Sequence, residues 1–497
     1  MQLQGTYRNE AFAKSYQRRS PKRVPGPRGR RLVGSLLEVR RDRLSFVRHA
    51  TEEYGDLICF RMGPKSLYLL NHPDYARHVL CDNVANYRKG LGLNEARPLL
   101  GDGLLTSDGE LWTSQRRLLQ AAFHNKRMDE FSELMVDAAY ATLERWDESN
   151  GVLDIAQEMV DLTINSLGLT LFRLDLSETA QDISRDLTVL TRWAMTRMTS
   201  VVKLPMNVPT PRNRRARAAL SRLDEMVERM IREHEGGSDG LLSLMAEGKS
   251  KQMRDELMTL LLAGHETTAA TLAWTWYLIA QQPEVERRLH AEVDQVLGGR
   301  RATLSDVPRL VYTKMIVNET LRLYPPVWLL PRQAINADRF ARHLIPANAD
   351  VLISVYTIHR HPQFWEDAER FDPERFAPDK GTERDSCAYL PFGAGPRTCL
   401  GSRFGMMEVM LMVATIAQRF SLRLAGDKPV QPEASLTLHP RHGLPMSLQR
   451  RRPCTTTSAK GAQYINAASA KGAEYESQGQ GPNSVRRVAP GRECNWR

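Results

Sequence analysis

The 497-residue chain has no CxxC pair: Cys59, Cys81, Cys387, Cys399, Cys454 and Cys494 stand far apart. That spacing excludes zinc ribbons, dithiol redox motifs and iron–sulfur runs. Six cysteines are also too few for a disulfide scaffold of this length, and a reducing compartment fits them. No GxGxxG follows a strand pattern and no Walker loop occurs, so a built-in nucleotide-dependent reductase has no support. The first thirty residues carry basic charge but no apolar stretch of signal length. No amino-terminal run is long enough for a membrane anchor. The long apolar segment 257–280 holds His265, Glu266, Thr259, Thr267, Thr268, Thr271 and Thr275. A charge and an imidazole are costly in lipid, so a helix inside a large protein core is expected.

Acidic residues are scarce at both ends. The formal net charge is +11. Residues 1–31 carry nine Lys or Arg against Glu10, and residues 451–497 carry eight against Glu474, Glu476 and Glu493. The stretch between them is near neutral. A nucleic-acid surface gathers basic residues on a folded face; here they gather in the termini, so solvated tails are the simpler reading and no nucleic-acid partner is expected. Residues 1–24 read as a basic flexible segment. Pro25-Gly26-Pro27 marks the entry to one folded domain expected over residues 25–450. In the tail, Ser458-Ala-Lys-Gly-Ala-Gln-Tyr464 recurs as Ser469-Ala-Lys-Gly-Ala-Glu-Tyr475. Two copies do not make a solenoid, and residues 451–497 read as disordered.

Hydrophobic residues make up 42% of the chain, enough for a sizeable core. Residues 57–62 and 66–70 flank Gly63-Pro64-Lys65 and read as a hairpin. Helical spacing then takes over. Trp112, Arg116, Leu119 and Phe123 recur at threes and fours in a pattern running from Asp108 to Trp146. Further helices are expected over 154–172, 178–198, a basic stretch ending at His234, 253–281, 283–297 and 305–324, the last stopped by Pro325-Pro326. Short strands fit 351–355 and 436–438. The fold class is mainly α with small β-sheets.

The strongest chemical signal is Phe392-Gly393-Ala394-Gly395-Pro396-Arg397-Thr398-Cys399-Leu400-Gly401. A thiolate that ligates haem iron needs an open loop to present the sulfur and backbone N–H groups aimed at it. Glycines at 393, 395 and 401 permit such a turn and the approach of a flat macrocycle. The helical pattern that follows puts a helix N-terminus near the thiolate, favouring its charge. Arg397 can meet a propionate. A Gly-rich turn with an ordinary buried cysteine explains Cys399 alone but not the whole decapeptide.

The segment resembles the haem-binding signature of the cytochrome P450 family, Phe-x-x-Gly-x-Arg-x-Cys-x-Gly, at every defining position. The resemblance implies that family's mostly α fold with haem b between two central helices, and Cys399 as the axial ligand of the iron. Three more stretches carry it. Glu319-Thr320-Leu321-Arg322 puts two charges on one helix face, and with Pro373-Glu374-Arg375-Phe376 it matches a buried structural network of Glu319, Arg322 and Arg375. Ala263-Gly264-His265-Glu266-Thr267-Thr268 interrupts the apolar segment with groups that are expensive to bury. By resemblance Thr267 supports dioxygen and Glu266 is the acid of the proton relay. Threonine hydroxyls can bond back to the preceding turn and open the helix locally; the plain alternative is that the threonines merely cap the local backbone. His265 falls at a variable position and takes no role; a metalloprotease HExxH is excluded because the partner position is Ala269. Trp112 and Arg116, one helical turn apart, and Arg332 match propionate-holding positions.

The resemblance implies a cytoplasmic haem-thiolate monooxygenase that inserts one atom of O2 into an apolar small molecule. Electrons then come from a separate ferredoxin or flavodoxin with its reductase, docked against Arg116, Arg117, Lys126, Arg127 and Arg403. Pocket walls are expected from 89–104, 261–267, 327–330 and 435–438, with Trp328 narrowing the space over the haem. Two other readings keep the haem. One is an isomerase, dehydratase or peroxygenase, against which Glu266 and Thr267 argue because those reactions need no proton delivery to dioxygen. The other is a non-catalytic haem-thiolate sensor.

Overall fold

The computed structural model describes residues 23–123, 127–149, 151–200, 203–233, 250–380, 385–426 and 429–451. The basic amino-terminal segment up to residue 22 and the tail from 452 lie outside them. Val24 is buried in a core cluster, and Arg451 donates its N–H to the Arg419 carbonyl (2.8 Å) and its guanidinium to Asp294 (2.7 Å). Both belong to the packed body rather than to the flanking segments.

The hairpin forms as its turn dictates. Leu57–Met62 (β1) and Lys65–Leu70 (β2) pair antiparallel with Met62 opposite Lys65. That leaves Gly63 and Pro64 as a two-residue loop, and Gly63 has φ +59°, the positive value that the favoured hairpin turns require. Tyr87–Lys89 (β3), Leu329–Ala334 (β4) and Asp350–Ser354 (β5) complete a sheet of order β1-β2-β5-β4-β3. The β2–β5 pair is parallel and the rest antiparallel. All five residues of β5 are buried, as a strand covered on both faces should be.

Helices supply the rest of the body. Ser250–Ala280 is a 31-residue helix, about 46 Å at 1.5 Å per residue. It is buried on most sides, and its Trp274 indole N–H reaches the Leu438 carbonyl (2.9 Å) while the ring stacks on Tyr324 at 4.0 Å. Ile155–Leu167 crosses it at Gly264, where an added Cβ would stand 2.9 Å from Leu167. Ser402–Arg419 is buried from Met407 to Gln418. Among the described residues no helix is long and apolar enough to cross a membrane.

Two expected helices are broken. The stretch from Asp108 divides into Gly109–Ala122 and Met128–Asp147. The stretch over 305–324 divides into a 3₁₀ turn, Leu304–Arg309, and Val311–Leu323. Thr303 and Asp306 form a capping box that starts the first piece, and Leu310 ends it, its N–H returning to the Asp306 carbonyl (3.1 Å).

One buried ion pair ties these parts together. Glu319 and Arg322 are both fully buried. Arg322 Nε and Nη2 donate to the two Glu319 oxygens (2.7 and 2.8 Å), Nη1 to the His359 and Ala368 carbonyls (2.9 and 2.7 Å), and Nη2 also to Arg370 O (3.1 Å). Arg375 stands 3.4 Å from Glu319, whose Oε1 also accepts the Asp372 N–H (2.9 Å). His359 continues the chain: it meets Arg322 O at 3.2 Å through Nδ1 and accepts the Leu390 N–H at Nε2 (2.7 Å). Arg322→Ala removes one half of a buried pair and should cost about 3–5 kcal/mol. Urea unfolding reads this; a loss below about 1 kcal/mol would show that the pair is not structural.

Candidate functional site

The cysteine loop closes on one carbonyl. Phe392 O accepts the Cys399 N–H (2.9 Å) and the Thr398 hydroxyl (3.2 Å). Gly393 and Gly395 turn the chain with φ +71° and +70°. A side chain at Gly395 would overlap the Leu80 carbonyl, so the loop lies hard against residues 78–82. Gly401 is not left-handed; it has φ −89°, precedes the Ser402–Arg419 helix, and turns its N–H to the Cys399 sulfur. Cys399 is accessible, yet burial pushes its thiol up, opposed by the Gly401 N–H and by Arg116. A sulfur both accessible and desolvated faces interior space rather than bulk water. Ala263 is likewise exposed in the long helix between buried Leu262 and its near neighbour His265.

A cluster of cations lies beside this loop. The Trp112 ring has Arg116 and Arg397 each at 5.6 Å. Arg116 donates to Thr398 O (3.0 Å). Arg397 pairs with Asp108 (2.8 Å), while its Nη1 is buried without a hydrogen-bond partner. Arg332 is buried on β4 and donates Nη1 to Pro331 O (2.9 Å); burial first, then Arg397, pushes it down to about 10. Lys89 on β3 is pushed down to about 7 by burial and donates to Leu104 O. Asp108 offsets one of these charges, but burial lifts the other nearby acid, Glu256, to about 7, so the two do not balance the cluster. An under-compensated cation cluster with an orphaned donor suits a dicarboxylate ligand. With the desolvated thiol beside it, this donor set fits haem.

Across the interior, the long helix stays continuous through residues 263–268. The Thr267 hydroxyl donates to Ala263 O (2.8 Å), Thr271 to Thr267 O and Thr275 to Thr271 O (both 2.8 Å). The expected local opening is therefore absent: each hydroxyl bonds back without displacing the ladder. Glu266 accepts from Thr437 (2.9 Å), and burial pushes its carboxyl up to about 7. His265 is a buried core residue, bonded to Leu261 O at 2.6 Å and pushed down to about 4 by burial.

Trp328 does not narrow the interior space. It is buried in a core cluster with Leu352 and Leu438, and its indole donates to Ser435 O (3.0 Å). Half-buried Leu330 instead faces the loop, 3.8 Å from where a Gly393 side chain would begin. Of the expected docking face, Arg117 and Arg403 are exposed, Arg116 is turned inward, Arg127 lies over Phe131 at 5.0 Å, and Lys126 is outside the described residues. Sequence reasoning missed His359 and Glu408. Glu408 accepts from Ser166 (2.6 Å) and Thr268 in the core. Neither lies in a recognisable motif, and only the packing of distant helices brings their partners near.

Comparisons with known proteins agree with this geometry. A family profile described as Cytochrome P450 matches residues 24–444. "Cyclooctatin synthase" of Streptomyces melanosporofaciens is 37% identical over 84% of this chain and 94% of its own. "Cyclooctat-9-en-7-ol 5-monooxygenase" of the same organism is 36% identical over 79% of this chain and 88% of its own. The crystal structure of the cytochrome P450DA heme domain superposes with a TM-score of 0.79 at 26% identity, covering 88% of this chain and all of that one.

Burial lifts Glu408 from 4.5 to about 7. Its folded value lies above the unfolded one, so its contribution to stability is intact below pH 4.5 and is lost as pH rises to about 7. Glu408→Gln should remove a loss on the order of 3 kcal/mol over that window. Unfolding curves taken across it check this; an unchanged pH dependence in the variant contradicts it.

Proposed function

The chain belongs to the cytochrome P450 family, and from that premise we propose the roles of its site residues, its electron donor and its substrate class. It is a haem-thiolate monooxygenase, which uses dioxygen, an external redox partner and an organic substrate. Haem held by a thiolate supplies dioxygen activation and the transfer of one oxygen atom to a C–H bond.

The observation that carries the assignment is the Cys399 sulfur, accessible yet desolvated, with the Gly401 N–H turned to it. Cys399 would bind the haem iron through its sulfur. Phe392 and Gly393 shape its loop, and Trp112, Arg116, Arg332 and Arg397 hold the propionates. The group is haem b by the family's pattern, and the lack of CxxCH, the motif for covalent haem attachment, agrees with a non-covalent haem. Glu266, lifted to about 7, holds a proton at neutral pH, and Thr267 beside it presents the hydroxyl that passes it on. Glu319, Arg322 and Arg375 are structural. The catalytic domain spans about residues 25–450, flanked by two basic tails.

A ferredoxin or flavodoxin is the donor. It docks at a surface groove of about 560 Å³ lined by Trp112, Arg117, Pro396 and Arg397. The site of action is the cytoplasm, which the low cysteine content of the chain fits. The substrate is an apolar carbocycle bearing at most a hydroxyl. The relative named for oxidising cyclooctat-9-en-7-ol supports this, as do the apolar side chains of Val327, Leu329 and Leu330.

Turnover of such a substrate with a ferredoxin, its reductase and isotope-labelled dioxygen should put label in the product. Thr267→Ala should lower product per electron about tenfold or more and release peroxide instead. Product formed without reductant, or full coupling in the variant, would favour the isomerase or peroxygenase reading.

A further inference from the structure

Two thiols outside the site described above touch each other. Pro73–Arg77 is helical and runs on as a π-helical turn, His78–Asp82. Arg77 and Cys81 sit one turn apart on it. Opposite lies the 3₁₀ turn Ser386–Ala388 with its cap Asp385. Arg77 Nη2 reaches both Asp385 oxygens, and Asp385 Oδ1 accepts the Cys387 N–H (2.8 Å). One turn further on, the Cys81 thiol is hydrogen-bonded to the Cys387 sulfur. Arg77 and this bond favour the Cys387 thiolate, which burial opposes. Cys387 is 2% exposed, and Cys81 is the half-buried partner that solvent reaches.

The pair also adjoins the haem-ligand loop. A side chain at Gly395 would overlap Leu80 O and stand 3.4 Å from the Cys81 sulfur. We propose that Cys81 and Cys387 form a reversible disulfide that clamps residues 78–82 to the segment leading into the Cys399 loop. Of the two other described thiols, Cys399 belongs to the site above, and Cys59 has Tyr68 and Ser66 as hydrogen-bond neighbours.

The oxidant is hydrogen peroxide. The Cys81 sulfur attacks one peroxide oxygen as its thiol proton passes to the other; the O–O bond breaks, and that oxygen leaves as water. The Cys387 thiolate then attacks the sulfenic sulfur; the S–O bond breaks, and a second water leaves. Two thiols lose two electrons and two protons, and one peroxide becomes two waters. A thiol reductant reverses the bond by exchange.

The test uses the full haem-loaded chain. It is treated with equimolar hydrogen peroxide, alkylated and digested with trypsin, which releases Cys81 in peptide 78–88 and Cys387 in peptide 385–397. The expected product is these two peptides joined, about 2 Da lighter than their sum, and separated again by dithiothreitol. Haem should pass to apomyoglobin more slowly from the oxidised protein than from the reduced one. Cys81→Ala and Cys81→Ser, changed at the half-buried member, should abolish both the link and the difference in haem release. Recovery of 78–88 and 385–397 as separate alkylated or sulfinic peptides overturns the proposal. So does linkage of either peptide to another cysteine, or equal haem release from the two redox states.

Discussion

A guanidinium has five N–H donors, and one sealed from water must place them all. Arg322 does so: two bonds go to Glu319 and one each to the carbonyls of His359, Ala368 and Arg370. Those carbonyls belong to a stretch 37 to 48 residues downstream, so satisfying one side chain fixes how that stretch folds against the Val311–Leu323 helix. His359 carries the constraint onward. Burial holds it neutral, down to about 3. With Nε2 accepting from Leu390 N–H, its proton sits on Nδ1 and faces Arg322 O. Leu390 O in turn accepts the Gly393 N–H (3.1 Å) at the start of the cysteine loop. The ion pair thus reaches the start of the cysteine loop through three hydrogen bonds.

Burial sets the charge state of the interior. It lifts the carboxyls of Glu256, Glu266 and Glu408 to about 7, and lowers Lys89 to about 7 and Arg332 to about 10. Glu256 lies near Lys89, whereas Glu266 and Glu408 bond to Thr437 and Ser166 on other elements. The cations gather beside the cysteine loop, where an anionic ligand would restore their charge balance. Of the acids, Glu266 lies on the long helix beside Thr267, where a group poised near neutrality can exchange protons. One physical cause therefore prepares both an anion-binding edge and a proton-holding wall.

Much of this was legible in the sequence because function had written it in local patterns. Phe392 to Gly401 is contiguous, and Glu319 and Arg322 share a face by spacing alone. Arg375 became meaningful only beside that pair. Other features were not legible. Trp328 looked like a pocket wall because its neighbours are apolar, yet its indole needed a partner and found Ser435 O. Thr267 promised a distortion of its helix, but a threonine can satisfy its hydroxyl on the i−4 carbonyl without breaking the ladder. His359, Glu408 and the contact of Cys81 with Cys387 depend on segments far apart in the chain. No periodicity announces them, because only tertiary packing creates the pairs. The Thr303-x-x-Asp306 cap marks the start of the turn at Leu304, but no local signal announced its break from the next helix at Leu310.

The central claim is that Cys399 binds the haem iron as a thiolate. The most direct measurement is the absorption spectrum of the purified protein, reduced and exposed to carbon monoxide, beside that of Cys399→Ala. The account predicts a strongly red-shifted Soret band in the wild type that the variant lacks. A band typical of histidine-ligated haem in the wild type, or the same spectrum in both proteins, would contradict it.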